Sequence, residues 1–138
     1  MKRYREITDQ DVQKVIALWA RCGLTRAWND PVTDIGFARR GPASSVLVWE
    51  LDGLIAASVM VGHDGHRGAL YYVSVDPARQ GEGLGREVVS AAEQWLAERG
   101  CWKANIIVRD DNVRAQGFWD KMGYGRNAVI SLAKAIRR

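Results

Sequence analysis

The residues from Val73 to Arg86 read Val-Ser-Val-Asp-Pro-Ala-Arg-Gln-Gly-Glu-Gly-Leu-Gly-Arg: a strand-like run, a turn holding Gly81, Gly83 and Gly85, and the start of a helical pattern. That order suits an anionic ligand. The first turn of a helix has unpaired N–H groups and the positive end of the helix dipole, and glycines let a ligand approach the backbone closely. Arg79 and Arg86 add positive charge on either side. A pyrophosphate fits such a turn, with each charge-assisted hydrogen bond contributing about 1.5–3 kcal/mol. Two common nucleotide motifs fail on their residues. A P-loop needs Gly-Lys followed by Ser or Thr, and the chain has Gly85-Arg86-Glu87. A G-x-G-x-x-G/A fingerprint begun at Gly81 ends on Arg86, and too little sequence follows for a doubly wound sheet.

A second block lies downstream: Val108-Arg-Asp-Asp-Asn112, then Ala115-Gln-Gly-Phe118-Trp-Asp-Lys-Met-Gly123-Tyr124. Gln80-Gly81-Glu82-Gly83-Leu84-Gly85 resembles the Q/R-x-x-G-x-G/A signature of the GNAT family of N-acetyltransferases. Val73-Ser74-Val75-Asp76-Pro77 resembles the strand exit before that signature. The downstream block is similar to the family's V-x-x-x-N-x-x-A-x-x-F-Y-x-x-x-G-F/Y pattern. The resemblance covers residues 70–125 and carries expectations for the rest. It implies one N-acetyltransferase domain over residues 1–138, of α/β class, with a mixed, mostly antiparallel central sheet and helices on both faces. It implies transfer of an acetyl group from acetyl-CoA to an amine by direct attack, the acceptor being a protein N-terminus, a lysine or a small amine. A non-catalytic acyl-CoA-binding sensor is the alternative. By the same resemblance the pantetheine arm bonds to backbone near Val73 and Val75. The pyrophosphate rests on Gln80, Gly81, Glu82, Gly83, Leu84 and Gly85, with Arg79 and Arg86 beside it. Asn112 reaches the pantetheine arm, although an asparagine there also suits an ordinary helix cap.

Two departures bear on the chemistry. Where many family members carry a tyrosine that protonates the leaving thiolate, this chain has Trp119; where some carry a glutamate base, it has Ile107. An attacking amine must be neutral, and a lysine amine titrates near ~10.4 against ~7.7–8.0 for an α-amine. Without a strong base the less basic amine is the easier acceptor, and positioning alone supplies effective molarities of ~10⁵–10⁸ M. Tyr71 and Tyr72 are adjacent on a predicted strand, so strand alternation sends them to opposite faces, and one of them is a candidate replacement for the missing tyrosine. His66 is a candidate base, with Asp64 beside it on the acceptor side. Trp28, Asn29 and Asp30 are candidate acceptor contacts, though Asn-Asp-Pro is also plain turn chemistry. The run His63-Asp64-Gly65-His66-Arg67 reads as an Asp-Gly turn and not as a metal site, since three ligands on one hairpin tip rarely close a coordination shell.

The elements that must position these residues follow from periodicity. Residues 3–7 read as a strand. Thr8 and Asp11 have capping-box spacing ahead of Val12, Val15, Ile16 and Trp19 at helical intervals, and Gly23 ends that helix. A short helical stretch follows Pro31. Strands at 46–50 and 56–61 meet through Asp52-Gly53, and Asp64-Gly65 leads to a strand at 69–75. Leu84, Val88, Ala92, Trp95 and Leu96 mark a helix ending at Gly100. A buried strand is expected over 102–108, a helix over 112–122 capped by Gly123, and a last strand over 128–133. Hydrophobic residues at 47% with charged residues at 26% describe an ordinary folded domain. The net charge of +4 is scattered apart from the two ends, which suits a polyanionic small ligand, whereas nucleic-acid binding would need a coherent patch. Cys22 and Cys101 form no disulfide framework, no apolar run spans a bilayer, and the N-terminal residues do not read as a signal peptide. The expectation is a cytoplasmic protein that uses no metal and has no membrane or nucleic-acid partner, with homodimer formation through the last strand open.

Overall fold

Local chemistry starts the first elements. The Thr8 backbone N–H and hydroxyl both donate to the Asp11 carboxylate, at 2.8 and 2.9 Å. They close a 3-10 turn, Asp9–Asp11, that feeds helix α1, Val12–Arg21. Gly23, at φ +70°, supplies the left-handed residue that stops it. Helix α2, Pro31–Ala38, begins on a proline, and the Asp30 carboxylate accepts from the backbone N–H groups of Val32 and Thr33. The computed structural model describes residues 2–137, which form two compact units divided between Ile107 and Val108.

The first unit is built on a five-stranded sheet in sequential order: β1 Tyr4–Glu6, β2 Ser44–Leu51, β3 Leu54–His63, β4 Gly68–Val75 and β5 Ala104–Asn105. The first four strands pair antiparallel, β2, β3 and β4 through hairpins and β1 with β2 across the connection that carries α1 and α2. β5 pairs parallel to β4 after a crossover through helix α3, Leu84–Glu98. The sheet is therefore mixed and mostly antiparallel.

Both faces of its middle are buried, which is why β2 and β3 read as nearly continuous apolar runs rather than alternating ones. On one face Val46 and Val48 join Val15, Leu18, Trp19, Ile35 and Ala38 of α1 and α2 in a single core. The register places Leu47, Trp49, Ala57, Val59, Val61 and Leu70 on the other face. There α3 buries Leu84, Val88, Val89, Ala92, Trp95 and Leu96. Gly68 marks the closest approach: an added Cβ would lie 2.6 Å from Leu96 Cδ1.

Two expected strands differ. The strand expected over 102–108 is reduced to Ala104–Asn105, with Trp102 and Ile107 at 76% and 70% exposure. Its pairing with β4 ends at Ala69, just before β4 bulges, and a bulge bends the strand and breaks the ladder. The segment 128–133 forms no strand in the described residues, and Val129, Ile130 and Leu132 are exposed. A strand needs a partner edge, and the described residues of the second unit contain one regular element, α4, Val113–Lys121. That helix is capped by Asn112, whose Oδ1 accepts from Ala115 N–H at 3.0 Å. In the same unit Trp119 packs edge-on between Phe118 and Tyr124, with ring centroids 5.1 and 5.0 Å away.

Candidate active site

The centre of β4 is irregular. Met60 pairs with Tyr71 and Ser58 with Ser74, so Tyr72 and Val73 together stand opposite the single residue Val59. Tyr72 has φ +53°, a left-handed conformation that non-glycine residues avoid at a cost of roughly 1–2 kcal/mol. Strain of this kind persists where the surroundings over-determine it. Here the Tyr72 ring stacks on Trp19 with centroids 3.8 Å apart and planes 3° from parallel. Its hydroxyl donates to Asp34 Oδ2 at 2.9 Å, and the Asn29 side chain lies near enough to it to lower its pKa.

The bulge changes what alternation predicts for the tyrosine pair. Tyr71 shares a face with its partner Met60, which packs on the core formed with α1 and α2. Tyr72 lies against Trp19 of α1, on that same face. The extra residue removes the half-turn that strand geometry would put between neighbours, so Tyr71 and Tyr72 do not point to opposite faces. Tyr71 is 50% exposed.

A buried polar network holds this region. Trp19 Nε1 donates to Ser58 Oγ at 2.9 Å. Ser58 and Ser74 hydroxyls lie 2.7 Å apart, and Ser74 Oγ donates to the Ser58 carbonyl at 3.2 Å. Ser74 has one proton to give, so Ser58 is the donor between the two hydroxyls. At the end of β4 the Cys22 thiol donates to the Val75 carbonyl at 3.3 Å, and burial pushes that thiol's pKa up.

Burial first, and the bond to Asp34 second, push the Tyr72 phenol up to about 12. Unfolded, it would titrate near ~10. The protonated form is favoured in the fold, so its contribution is complete below pH ~10 and is lost as pH rises through 12. Tyr72→Phe is expected to cost about 1 kcal/mol at pH 7, a bond to a carboxylate discounted for solvent screening. In urea denaturation the gap between wild type and variant should narrow from pH 10 upward. An ultraviolet titration of the chain's four tyrosines should lose its highest step in the variant. A high step that survives in Tyr72→Phe would show that another tyrosine is responsible.

After Val75 the chain turns through Asp76 and a 3-10 turn, Pro77–Arg79, into the glycine-rich loop. Gly81 and Gly83 have φ +87° and +78°, and an added Cβ at either meets no atom within 4 Å. The N-termini of α2 and α4 are closed by Asp30 and Asn112, whereas no side chain caps α3, whose N-cap is Gly83. The start of α3 thus carries no side-chain cap, an arrangement that suits an anion. Leu84 is buried and anchors the turn. Glu87 fixes the first helical turn to the sheet, accepting from Arg3 at 2.8 and 3.1 Å and from Trp49 Nε1 at 2.8 Å. Arg79 is engaged with Asp52 at 2.7 Å and Glu82 at 3.7 Å. Arg86 makes no ion pair among the described residues, so of the two flanking arginines it is the one with unspent charge.

Asp64 caps the β3–β4 turn, accepting from His66 and Arg67 N–H at 2.9 and 2.8 Å, and these bonds lower its pKa. That turn and the glycine loop stand at opposite ends of β4. The stretch from Gly68 to Tyr72 spans roughly 13 Å of strand, so the structure does not bring Asp64 and His66 to the tyrosines. Asn29 does come to Tyr72. Trp28 is 75% exposed in the turn before α2, and both Asp30 carboxylate oxygens serve the helix start. Sequence reasoning missed Asp34 and Trp19. Asp34 stands one helical turn beyond Asp30, a spacing that placed it on the same side of α2 as the residues already suspected.

Comparison with known proteins bears on this arrangement as a whole. The sequence pattern of the acetyltransferase (GNAT) family matches residues 12–124. A Yersinia pestis (strain Pestoides F) protein named acetyltransferase is 41% identical over 132 residues, covering 96% of this chain and 94% of its own. Among solved structures, glucosamine-6-phosphate N-acetyltransferase from Arabidopsis thaliana shares the fold at a TM-score of 0.72, with 24% identity and 97% of each chain covered. AAC(6')-Iy in complex with the bisubstrate analogue CoA-S-monomethyl-acetylneamine superposes at a TM-score of 0.79, with 16% identity over 96% of this chain and 97% of that one. A bulged fourth strand running into an uncapped glycine turn, inside a sequence that matches from α1 to Tyr124, makes this chain a member of the acetyltransferase (GNAT) family.

Proposed function

We propose that the protein transfers the acetyl group of acetyl-CoA to an amine. The observation that carries this reading is the glycine turn. It joins two left-handed glycines with room for a Cβ at each, an α3 N-terminus without a side-chain cap and a cation, Arg86, without an ion pair among the described residues. Leu84 and Glu87 hold that turn in place, so its amides are aimed before the ligand arrives. The amides of Gly81, Gly83 and Gly85, the backbone of Gln80, Glu82 and Leu84, and Arg86 take the pyrophosphate, with Arg79 shaping the turn from its bond to Asp52. Val73, in the bulge beside Tyr72, presents backbone to the pantetheine arm, with Val75 following it. The place of Asn112 on that arm belongs to the same proposal and rests on the sequence motif. Acetyl-CoA supplies an activated thioester. The neutral amine forms the C–N bond as the C–S bond breaks, the thiolate takes up one proton and the amine gives one up. Tyr71 is exposed on the face where Tyr72 and Asn29 meet and is the hydroxyl available to protonate the thiolate; the Tyr72 proton is committed to Asp34.

Calorimetric titration with acetyl-CoA, NAD and ATP tests this reading. Selective binding of acetyl-CoA is expected. Equal binding of all three, or none, would mean that the turn is only a turn and would end the acetyltransferase reading.

A further inference from the structure

We infer that Asp34 binds a positive charge on the acceptor, and that the acceptors are amines carrying a second ammonium group; this rests on the acetyltransferase reading. Most carboxylates of the first unit are held by a cation or by backbone N–H groups, while the exposed Glu6 and Glu98 accept from neutral side chains. Asp9, Asp11, Glu50, Asp52, Asp76, Glu82 and Glu87 each pair with an arginine, and Asp30 and Asp64 accept from backbone N–H groups. Asp34 has neither kind of partner. Its Oδ2 accepts from the neutral Tyr72 phenol, and no arginine or lysine reaches it among the described residues.

A half-buried carboxylate without a cation is an unspent attraction. Asp34 does complement the dipole at the start of α2, but that role needs no tyrosine held in left-handed backbone to orient the carboxylate. The surroundings suit an ammonium ion: the phenol end of the stacked Trp19–Tyr72 pair, with Asn29 beside it. The charge bound here is not that of the reacting nitrogen. That nitrogen has to be neutral to attack, and a carboxylate gripping it as ammonium would oppose the loss of its proton. Asp34 therefore holds a second ammonium, while the first group, as free amine, attacks. Asp34 is a specificity-determining residue, and Tyr72 positions it.

The test uses the full chain saturated with CoA, titrated calorimetrically with 1,4-diaminobutane, spermidine and n-butylamine. The two polyamines are expected to bind about tenfold tighter than the monoamine, within the scale of a desolvated charge pair. Asp34→Asn should erase that preference, and Tyr72→Phe, which leaves the carboxylate but frees it, should reduce it about threefold. Binding of CoA by each variant reports an intact fold. Equal affinity for mono- and polyamines, no polyamine binding to the CoA-loaded wild type, or a preference that survives Asp34→Asn overturns the inference and leaves the acetyltransferase reading standing. Failure of CoA to bind the wild type overturns both.

Discussion

Gly83→Val is expected to cripple acetyl-CoA binding in a protein that still folds. Gly83 sits at φ +78° and ψ 8° as the N-cap of α3. A β-branched side chain in that conformation costs roughly 1–2 kcal/mol or somewhat more. From the sequence alone the expected fault is steric conflict within the turn. The structure locates it elsewhere, because a Cβ at residue 83 meets no protein atom within 4 Å. The isopropyl group instead fills the space a pyrophosphate needs, or the backbone leaves the left-handed region and the first amides of α3 lose their aim. Urea denaturation should show a loss of about 1–2 kcal/mol. Affinity for acetyl-CoA should fall on the order of 100-fold or more, about 2.7 kcal/mol. Gly83→Asn, which tolerates the left-handed region, should keep more of both. If Gly83→Val binds acetyl-CoA within tenfold of wild type, the pyrophosphate does not lie on this turn.

That turn was the most legible part of the chain because its signal is local. Glycines at 81 and 83 are demanded by backbone angles, and a turn's angles depend on a few consecutive residues. The hairpin strands were legible for a related reason: Asp52-Gly53 and Asp64-Gly65 fix the reversals, and buried apolar runs lie between them. What escaped depended on distant partners. The strand expected over 102–108 has the right composition, yet β4 offers it only Gly68 and Ala69. Residues 128–133 have strand-like composition and meet no edge to pair with among the described residues. The bulge at Tyr72 escaped for a third reason. No residue type announces it, since tyrosine disfavours positive φ, and it exists because Trp19 and Asp34, far away in sequence, hold the side chain. For Asp34 the sequence offers only its spacing from Asp30; its role depends on the contact with Tyr72.

Trp19 is the residue on which core and site both depend, and Trp19→Ala is expected to have the largest effect on stability. Its side chain is fully buried, within the core that α1 and α2 share with β2. Removing a buried tryptophan costs about 3–5 kcal/mol through lost burial and the cavity left behind. The hydrogen bond to Ser58 adds less, because the Ser58 and Ser74 hydroxyls keep each other as partners when the indole is gone. A domain of this size has roughly 5–15 kcal/mol in total, so the variant should lie near the edge of folding at 37 °C. Trp19→Phe separates the two roles. It keeps an aromatic ring in the core and should cost about half as much, but it narrows the surface on which Tyr72 stacks. Since that stacking and the bond to Asp34 together hold Tyr72 in its left-handed conformation, Trp19→Phe should loosen Tyr72 and blunt the preference for polyamines while CoA binding persists. Urea denaturation followed by far-ultraviolet circular dichroism measures the first effect without relying on the lost fluorophore. A loss below about 1 kcal/mol for Trp19→Ala would place the weight of this core on the aliphatic residues around it and leave the conformation of Tyr72 to the bulge itself.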